Sequence, residues 1–177
     1  MFNFQLSTKC LIALGSNLGD RLSHLKFAIN AINATRHTKI FRISALYKTS
    51  PVGGPENQNP YYNAALLALS TLSAKDLLLF LNGIENQRQR IKLVHWGPRT
   101  LDLDLLIYGT NVRDDGCLIL PHPRMHERRF VMVPVCDVAP QLLHPKLNLT
   151  MCQLLSKLSV DYDELVLLHK EWWTCAI

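Results

Sequence analysis

The chain has 177 residues, of which 48% are hydrophobic and 19% charged, and it carries a formal net charge of +5. That length supports one domain, and that apolar content supplies a core and excludes a disordered chain. The positive charge calls for an anionic partner; its two concentrations, Arg88 to Arg99 and Arg124 to Arg129, suit a confined phosphate site better than a nucleic-acid stripe.

Lys9 to Leu14 reads as an apolar strand ending in the turn Gly15-Ser16-Asn17. Asp20 then precedes Leu22, Leu25, Ile29 and Ile32, whose spacing is that of an amphipathic helix. From Ile40 to Tyr47 the pattern alternates, with Phe41, Ile43, Ala45 and Tyr47 on one side and Arg42 and Ser44 on the other, giving a second strand. Pro51 to Pro60 is a polar Pro/Gly-rich loop, and Tyr61-Tyr62-Asn63 leads from it into a third strand, Ala64 to Leu69. Ser73-x-x-Asp76 has the form of a helix N-cap, and Leu77, Leu81, Ile84 and Arg88 follow at helical spacing. Gln89 to Pro98 is a basic loop, and Leu101 to Tyr108 is the fourth strand.

The order βαββαβ predicts an α+β, ferredoxin-like sandwich: an antiparallel sheet with two helices packed on one face, the other face left free for ligands. Beyond it, Cys117 to Leu120 can add a short strand and Pro121-His122-Pro123 forms a stiff turn. Met125 to Val138 should contain a helix interrupted near Pro134, and Thr150 should cap a further C-terminal helix through Leu158. A single domain is expected over 1–177, with its core at about 9–158 and residues 159–177 as an amphipathic, acidic appendage bearing Trp172 and Trp173. The five cysteines form no C-x-x-C and read as reduced thiols. No signal peptide, membrane span or lipidation motif is legible, so the expected location is cytoplasmic.

The chemistry concentrates in Trp96-Gly97-Pro98-Arg99-Thr100-Leu101-Asp102-Leu103-Asp104. On a strand Asp102 and Asp104 share a face with Cα atoms about 6.6–6.8 Å apart. That is too far to share a proton, but the side chains can converge on hard cations about 3.5–4 Å apart. Leu105-Leu106-Ile107, apolar on both faces, suggests a strand central to the sheet. A bare D-x-D also suits the solvent face of a one-sided sheet; the neighbouring basic residues favour a magnesium–phosphate site. Arg90, Lys92, Arg99, His122, Arg124, Arg128 and Arg129 supply donors, and guanidinium forks bind phosphate bidentately. Solvated surface charge is the alternative for Arg124 and Arg129, whereas Arg99 is mounted between a proline and a strand. His122 and His126 have a zinc-like spacing, but the flanking prolines oppose a helix and no third ligand is evident; a phosphate donor or a turn histidine are the other readings of His122. Tyr61, Trp96 and Phe130 belong either to the core or to a platform for a flat heterocycle whose edge Asn63 reads. Neither a P-loop nor a G-x-G-x-x-G cradle occurs.

Taken with Gly15-Ser16-Asn17, Tyr47-x-Thr49-x-Pro51-Val52-Gly53, Tyr61-x-Asn63-Ala64 and Ile84-Glu85, the blocks Trp96-Gly97-Pro98-Arg99-x-Leu101-Asp102-Leu103-Asp104 and Pro121-His122-Pro123-Arg124-Met125-x-x-Arg128-x-Phe130 resemble the 6-hydroxymethyl-7,8-dihydropterin pyrophosphokinase family, over about Leu11 to Pro145. The resemblance implies transfer of diphosphate from ATP to the pterin hydroxymethyl group, with release of AMP, in folate biosynthesis. It implies that Asp102 and Asp104 hold two magnesium ions and act in catalysis with Arg90 and Arg99. Arg90, Lys92, Trp96, Arg99, His122 and Arg128 would bind ATP. Thr49, Val52, Tyr61, Asn63, Asp102 and Phe130 would bind the pterin, with Tyr61 and Phe130 sandwiching its ring. The implied partners are those two small molecules, with no nucleic acid and no membrane, and the expected state is a monomer. Three departures stand out: Gln89-Arg90-Ile91-Lys92 where the family has Gly-Arg-x-Arg, a loop one residue shorter before Trp96 than in some members, and His95 where arginine is frequent. The rival readings are a ferredoxin-like RNA-binding module and a metal-dependent nucleotide pyrophosphohydrolase.

Overall fold

The structure is a computed structural model describing residues 4–51, 55, 58–88, 97–159 and 165–173. In chain order it comprises β1 (Thr8–Ser16), α1 (Arg21–Ala34), β2 (Thr38–Ile43), β3 (Leu46–Thr49), β4 (Tyr61–Ser70), α2 (Ala74–Gln87), β5 (Asp102–Tyr108), β6 (Arg113–Asp114), β7 (Ile119–Leu120), α3 (Arg129–Val138), α4 (Met151–Leu155) and β8 (Val166–His169). The main sheet runs β5-β1-β4-β3-β8, with β2 also beside β4, and its pairings are all antiparallel. The chain is therefore a mixed α+β protein. No described helix is long and apolar enough to cross a membrane.

The helix starts follow the caps legible in the sequence. Asp20 accepts from the Ser23 N–H, Ser73 from the Asp76 N–H, and Thr150 forms a capping box with Gln153. Each such cap is worth about 1 kcal/mol to its helix.

Strand alternation divides the interior into two cores. Cys10, Ile12, Leu14, Leu66 and Leu103 meet Leu25 and Ile29 of α1 and Leu77 and Leu81 of α2 on one side. On the other, Leu11, Ala65, Leu106 and Ile107 meet Met132 and Val135 of α3 and Met151 and Leu154 of α4. Helices thus lie on both faces, and the free second face expected from the sequence is a correction to make. Leu11, Leu106 and Ile107 give that face enough apolar surface to hold α3.

Five further elements differ from expectation. The strand read through Ile40–Tyr47 is two strands: Ser44 Oγ accepts the Ala65 N–H at 2.9 Å, and Asp137 accepts the Ala45 N–H at 3.1 Å, so side chains replace the ladder there. β5 is an edge strand, not a central one. Its double apolarity comes from helices above and below, and its outer backbone is covered by the Glu85 carboxylate, which accepts the Leu103 N–H at 2.7 Å, and by the His122 N–H, which donates to the Leu106 carbonyl at 2.8 Å. α3 continues through Pro134, whose burial with Val131, Met132, Val135 and Val138 offsets the one missing donor. α4 stops at Leu155 rather than Leu158. Finally, β8 extends the sheet beyond β3, and Trp172 just after it is buried with its indole N–H donated to the Ser44 carbonyl at 2.9 Å.

Candidate active site

Register aligns the site across three strands. Gly15 of β1 pairs with Asn63 of β4 on one side and with Asp102 of β5 on the other; Ala13 stands opposite Asp104, and Tyr61 opposite Thr49. All face the α3 side of the sheet. Gly15 lies close to the site: a Cβ there would make ordinary contact with Asn63 Oδ1 at 3.4 Å and Asp102 Cβ at 3.8 Å. Its absence leaves an opening, and a cavity of about 500 Å³ stands over it.

The turn after β1 holds the entry to β5. Asn17 Oδ1 accepts the Arg99 N–H at 2.7 Å, the Asn17 N–H donates to the Arg99 carbonyl at 3.0 Å, and Ser16 Oγ donates to the Thr100 carbonyl at 2.6 Å. Asn17 Nδ2 also donates to Gln58 Oε1 and to the Asn59 carbonyl, which ties down the approach to Tyr61. Ser16 and Asn17 are buried, so these bonds are shielded from water. This lattice is what mounts Arg99, whose guanidinium donates to Asp102 Oδ2 at 2.5 Å.

Cations ring the carboxylates. Arg99, Arg124 and Arg128 line the cavity with Asp102, Asp104 and His122. Burial pulls the Arg99 guanidinium down, but Asp102, with Tyr61 and Asp104, outweighs it and holds its pKa above the ordinary value. Arg128 is lowered by burial and by Arg124, against the pull of Asp104 and Asp102. His122 is pushed down to about 4 by burial, then by Arg128 and Arg124. It is neutral at pH 7. Its Nδ1 accepts the Arg124 N–H at 3.3 Å, which leaves the proton on Nε2 as a donor. Asn63 is oriented in the same way: Nδ2 donates to Thr49 Oγ1 at 2.7 Å, so Oδ1 is the atom turned toward Gly15 and the cavity.

Of the residues singled out in the sequence, Thr49, Tyr61, Asn63, Arg99, Asp102, Asp104, His122, Arg128 and Phe130 line this one cavity. Val52, Arg90, Lys92 and Trp96 lie outside the described residues. Gly15, Ser50 and Glu127 also line it without having been assigned a role, and so does Arg124, which the sequence left open. Gly15 was within reach of pattern reading, because the alternation of β1 puts it on the side of Ala13; Glu127 carried no such signal. His126 instead stacks edge-on against His144, with ring centroids 5.8 Å apart. Among the described residues no cluster of three or more His, Cys, Asp or Glu side chains could hold a metal alone. Asp102 and Asp104 supply two hard oxygen donors on one face. That set fits magnesium, which keeps its other positions for water and phosphate.

The fold and the cavity define a class: an α+β protein whose sheet end gathers the Asp102 and Asp104 carboxylates, three arginines and the rings of Tyr61 and Phe130 around one cavity. The family model described as 7,8-dihydro-6-hydroxymethylpterin-pyrophosphokinase matches residues 11–140. The 2-amino-4-hydroxy-6-hydroxymethyldihydropteridine pyrophosphokinase of Haemophilus influenzae is 42% identical over 134 residues, covering 76% of this chain and 83% of that protein. Its Bacillus subtilis counterpart is 39% identical over 131 residues, covering 74% and 78%. Among solved structures, the wild-type Plasmodium falciparum HPPK-DHPS with STZ-DHP aligns with a TM-score of 0.67 at 14% identity, a likeness of fold alone, covering 85% of this chain and 43% of that one. This chain thus spans less than half the length of that larger chain. The chain belongs to the 7,8-dihydro-6-hydroxymethylpterin-pyrophosphokinase family, pyrophosphokinases of folate biosynthesis. Family membership implies ATP as co-substrate.

Proposed function

We propose that this chain transfers the β,γ-diphosphate of magnesium-bound ATP to the hydroxymethyl group of 6-hydroxymethyl-7,8-dihydropterin and releases AMP. The carrying observation is the single cavity that joins paired carboxylates, converging cations and two aromatic rings. Asp102 and Asp104 would hold two magnesium ions, which when bound neutralise phosphate oxygens and draw electrons from phosphorus. Arg99, Arg128 and the Nε2–H of His122 bind phosphate oxygens with charge-assisted or neutral hydrogen bonds. Tyr61 and Phe130 hold the pterin ring between them, and Asn63 Oδ1, fixed by Thr49, accepts from its N–H edge. By resemblance, Arg90, Lys92 and Trp96 join the ATP side and Val52 the pterin side.

The hydroxymethyl oxygen attacks the β-phosphorus in line as the bond from that phosphorus to the α-phosphate oxygen breaks; AMP leaves and the hydroxyl proton passes to solvent. Positioning and charge neutralisation carry the rate. The strand order and the two crossover helices support a ferredoxin-like plan. The tail, through β8 and Trp172, belongs in this reading to a single domain over 1–177 that acts as a cytoplasmic monomer. The RNA-binding alternative needs an open sheet face for base stacking, whereas α3 and α4 pack over this one. Phosphorus NMR of a mixture with magnesium, ATP and the pterin alcohol tests the proposal. AMP and a pterin diphosphate are expected; ADP, or pyrophosphate released without the pterin, overturns it.

A further inference from the structure

We infer that Asp137 is a positioning residue for the pterin half of the site, acting through Tyr47 and the backbone of Ala45; the inference rests on the substrate reading above. A single oxygen, Asp137 Oδ2, accepts the Tyr47 hydroxyl at 2.7 Å and the Ala45 N–H at 3.1 Å. Tyr47 pairs across β3 and β4 with Asn63, and Thr49 lies two residues further along β3, on the same face. Tyr47 therefore stands directly behind the Asn63–Thr49 pair that faces the ligand. Its ring is buried and its hydroxyl reaches the partly shielded edge of α3, so the bond ties Tyr47 to that helix. Burial and Asp137 both keep that phenol protonated, well above its ordinary pKa.

The geometry couples the two walls of the aromatic slot. α3 carries Phe130 near its start and Asp137 near its end, about 10 Å further along the axis. Pro134 has no N–H to give the Phe130 carbonyl, so that end of the helix depends on outside contacts for its placement. The clasp at Asp137 fixes the helix against β3, and hence Phe130 against Tyr61 and Asn63. The phosphate half is held separately: Arg99, Asp102 and Asp104 are set by the Ser16–Asn17 lattice and by Glu85. Loss of the clasp should loosen ring binding and spare phosphate binding. Because one oxygen takes both bonds, the negative charge is dispensable and an asparagine carbonyl suffices.

The test compares Asp137→Ala, Asp137→Asn and Tyr47→Phe in the full chain, measuring KM for the pterin, KM for ATP, kcat and thermal melting. Expected for Asp137→Ala is a pterin KM raised roughly tenfold, with ATP KM and kcat within about twofold. Asp137→Asn should return the pterin KM to within about twofold of wild type, and Tyr47→Phe should raise it about threefold. A pterin KM left unchanged in Asp137→Ala, an equal rise in both KM values, or an Asp137→Asn protein as impaired as the alanine variant overturns the inference. If Asp137→Ala does not melt cooperatively, Tyr47→Phe decides by the same split in KM. A wild-type protein that forms no AMP with the pterin overturns the substrate reading and this inference with it; an active wild type with unaltered variants overturns this inference alone.

Discussion

The two faces of the same three strands are built differently. On the α1/α2 side β1 presents Cys10, Ile12 and Leu14, all buried and apolar, before the strand ends at the buried Ser16. On the α3 side the same strand presents Leu11, Ala13 and Gly15, while β4 runs Leu67, Ala65, Asn63 and β5 runs Leu106, Asp104, Asp102. Side chains on this face shrink or turn polar toward one end, and the cavity opens where they do. One face is given over to packing. The other is apolar only as far as α3 needs, and its last residues are small or polar and line the cavity. The groups proposed to act on substrate are thus carried by strands whose opposite face is core.

The largest expected effect comes from the tapering face. Replacing Asp102 and Asp104 together by asparagine should lower the rate of diphosphate transfer about 10²–10³-fold, as loss of charge-organising groups does. Melting should be nearly unchanged, because neither carboxylate belongs to the core. Initial rates of AMP formation at saturating ATP, with a thermal melt alongside, check both halves; a rate near wild type would break the comparison.

On the opposite face the signs reverse. Leu81→Ala removes a fully buried side chain of α2 and should cost about 2–5 kcal/mol, read as a lower urea midpoint. The kcat of the folded fraction should stay within about twofold, since Leu81 itself does not line the cavity.

Gly15→Ala sharpens the taper argument. The added methyl would sit in ordinary contact with Asn63 Oδ1 at 3.4 Å and occupy part of the space proposed for the ring. Binding of the flat substrate should weaken about tenfold, roughly 1.4 kcal/mol, with little change in stability. Isothermal titration with the pterin alone measures it.

The smallest effect is on pH dependence. His122 has a folded pKa of about 4, below its ordinary 6.5. Between those values the unfolded chain binds the proton and the folded one does not, so the contribution is present above about 6.5 and is lost as pH falls toward 4. Urea midpoints should therefore drop across that window, and His122→Gln should flatten the drop. Bound polyanion should raise the folded pKa and cause proton uptake near pH 5, visible as a dependence of binding heat on the buffer's ionisation enthalpy.

Much of this site was legible before any fold was known. Period-two alternation placed Asp102 and Asp104 on one face, the Gly-Pro mounting singled out Arg99, and the motif blocks drew Thr49, Tyr61, Asn63, His122, Arg128 and Phe130 into one cavity. Ser16 and Asn17 were visible only as a turn, because their bonds to Arg99 and Thr100 span more than 80 residues of sequence and leave no local pattern. The strand β8 and the burial of Trp172 were missed for a related reason. A four-residue exposed strand has no periodicity of its own and exists because β3 offers it an edge.

The sequence by itself determined the helix starts, the shared facing of Asp102 and Asp104 and the family, because caps, alternation and motif spacing are properties of neighbours along the chain. The facing read through Phe41 to Tyr47 was instead broken by a bulge and a second strand. Tertiary structure alone decided that β5 lies at the edge of the sheet, that α3 covers half of the second face, and that Asp137 reaches Tyr47. An apolar strand looks the same whether sheet or helix buries it, and a side chain's partner far along the chain is chosen by packing.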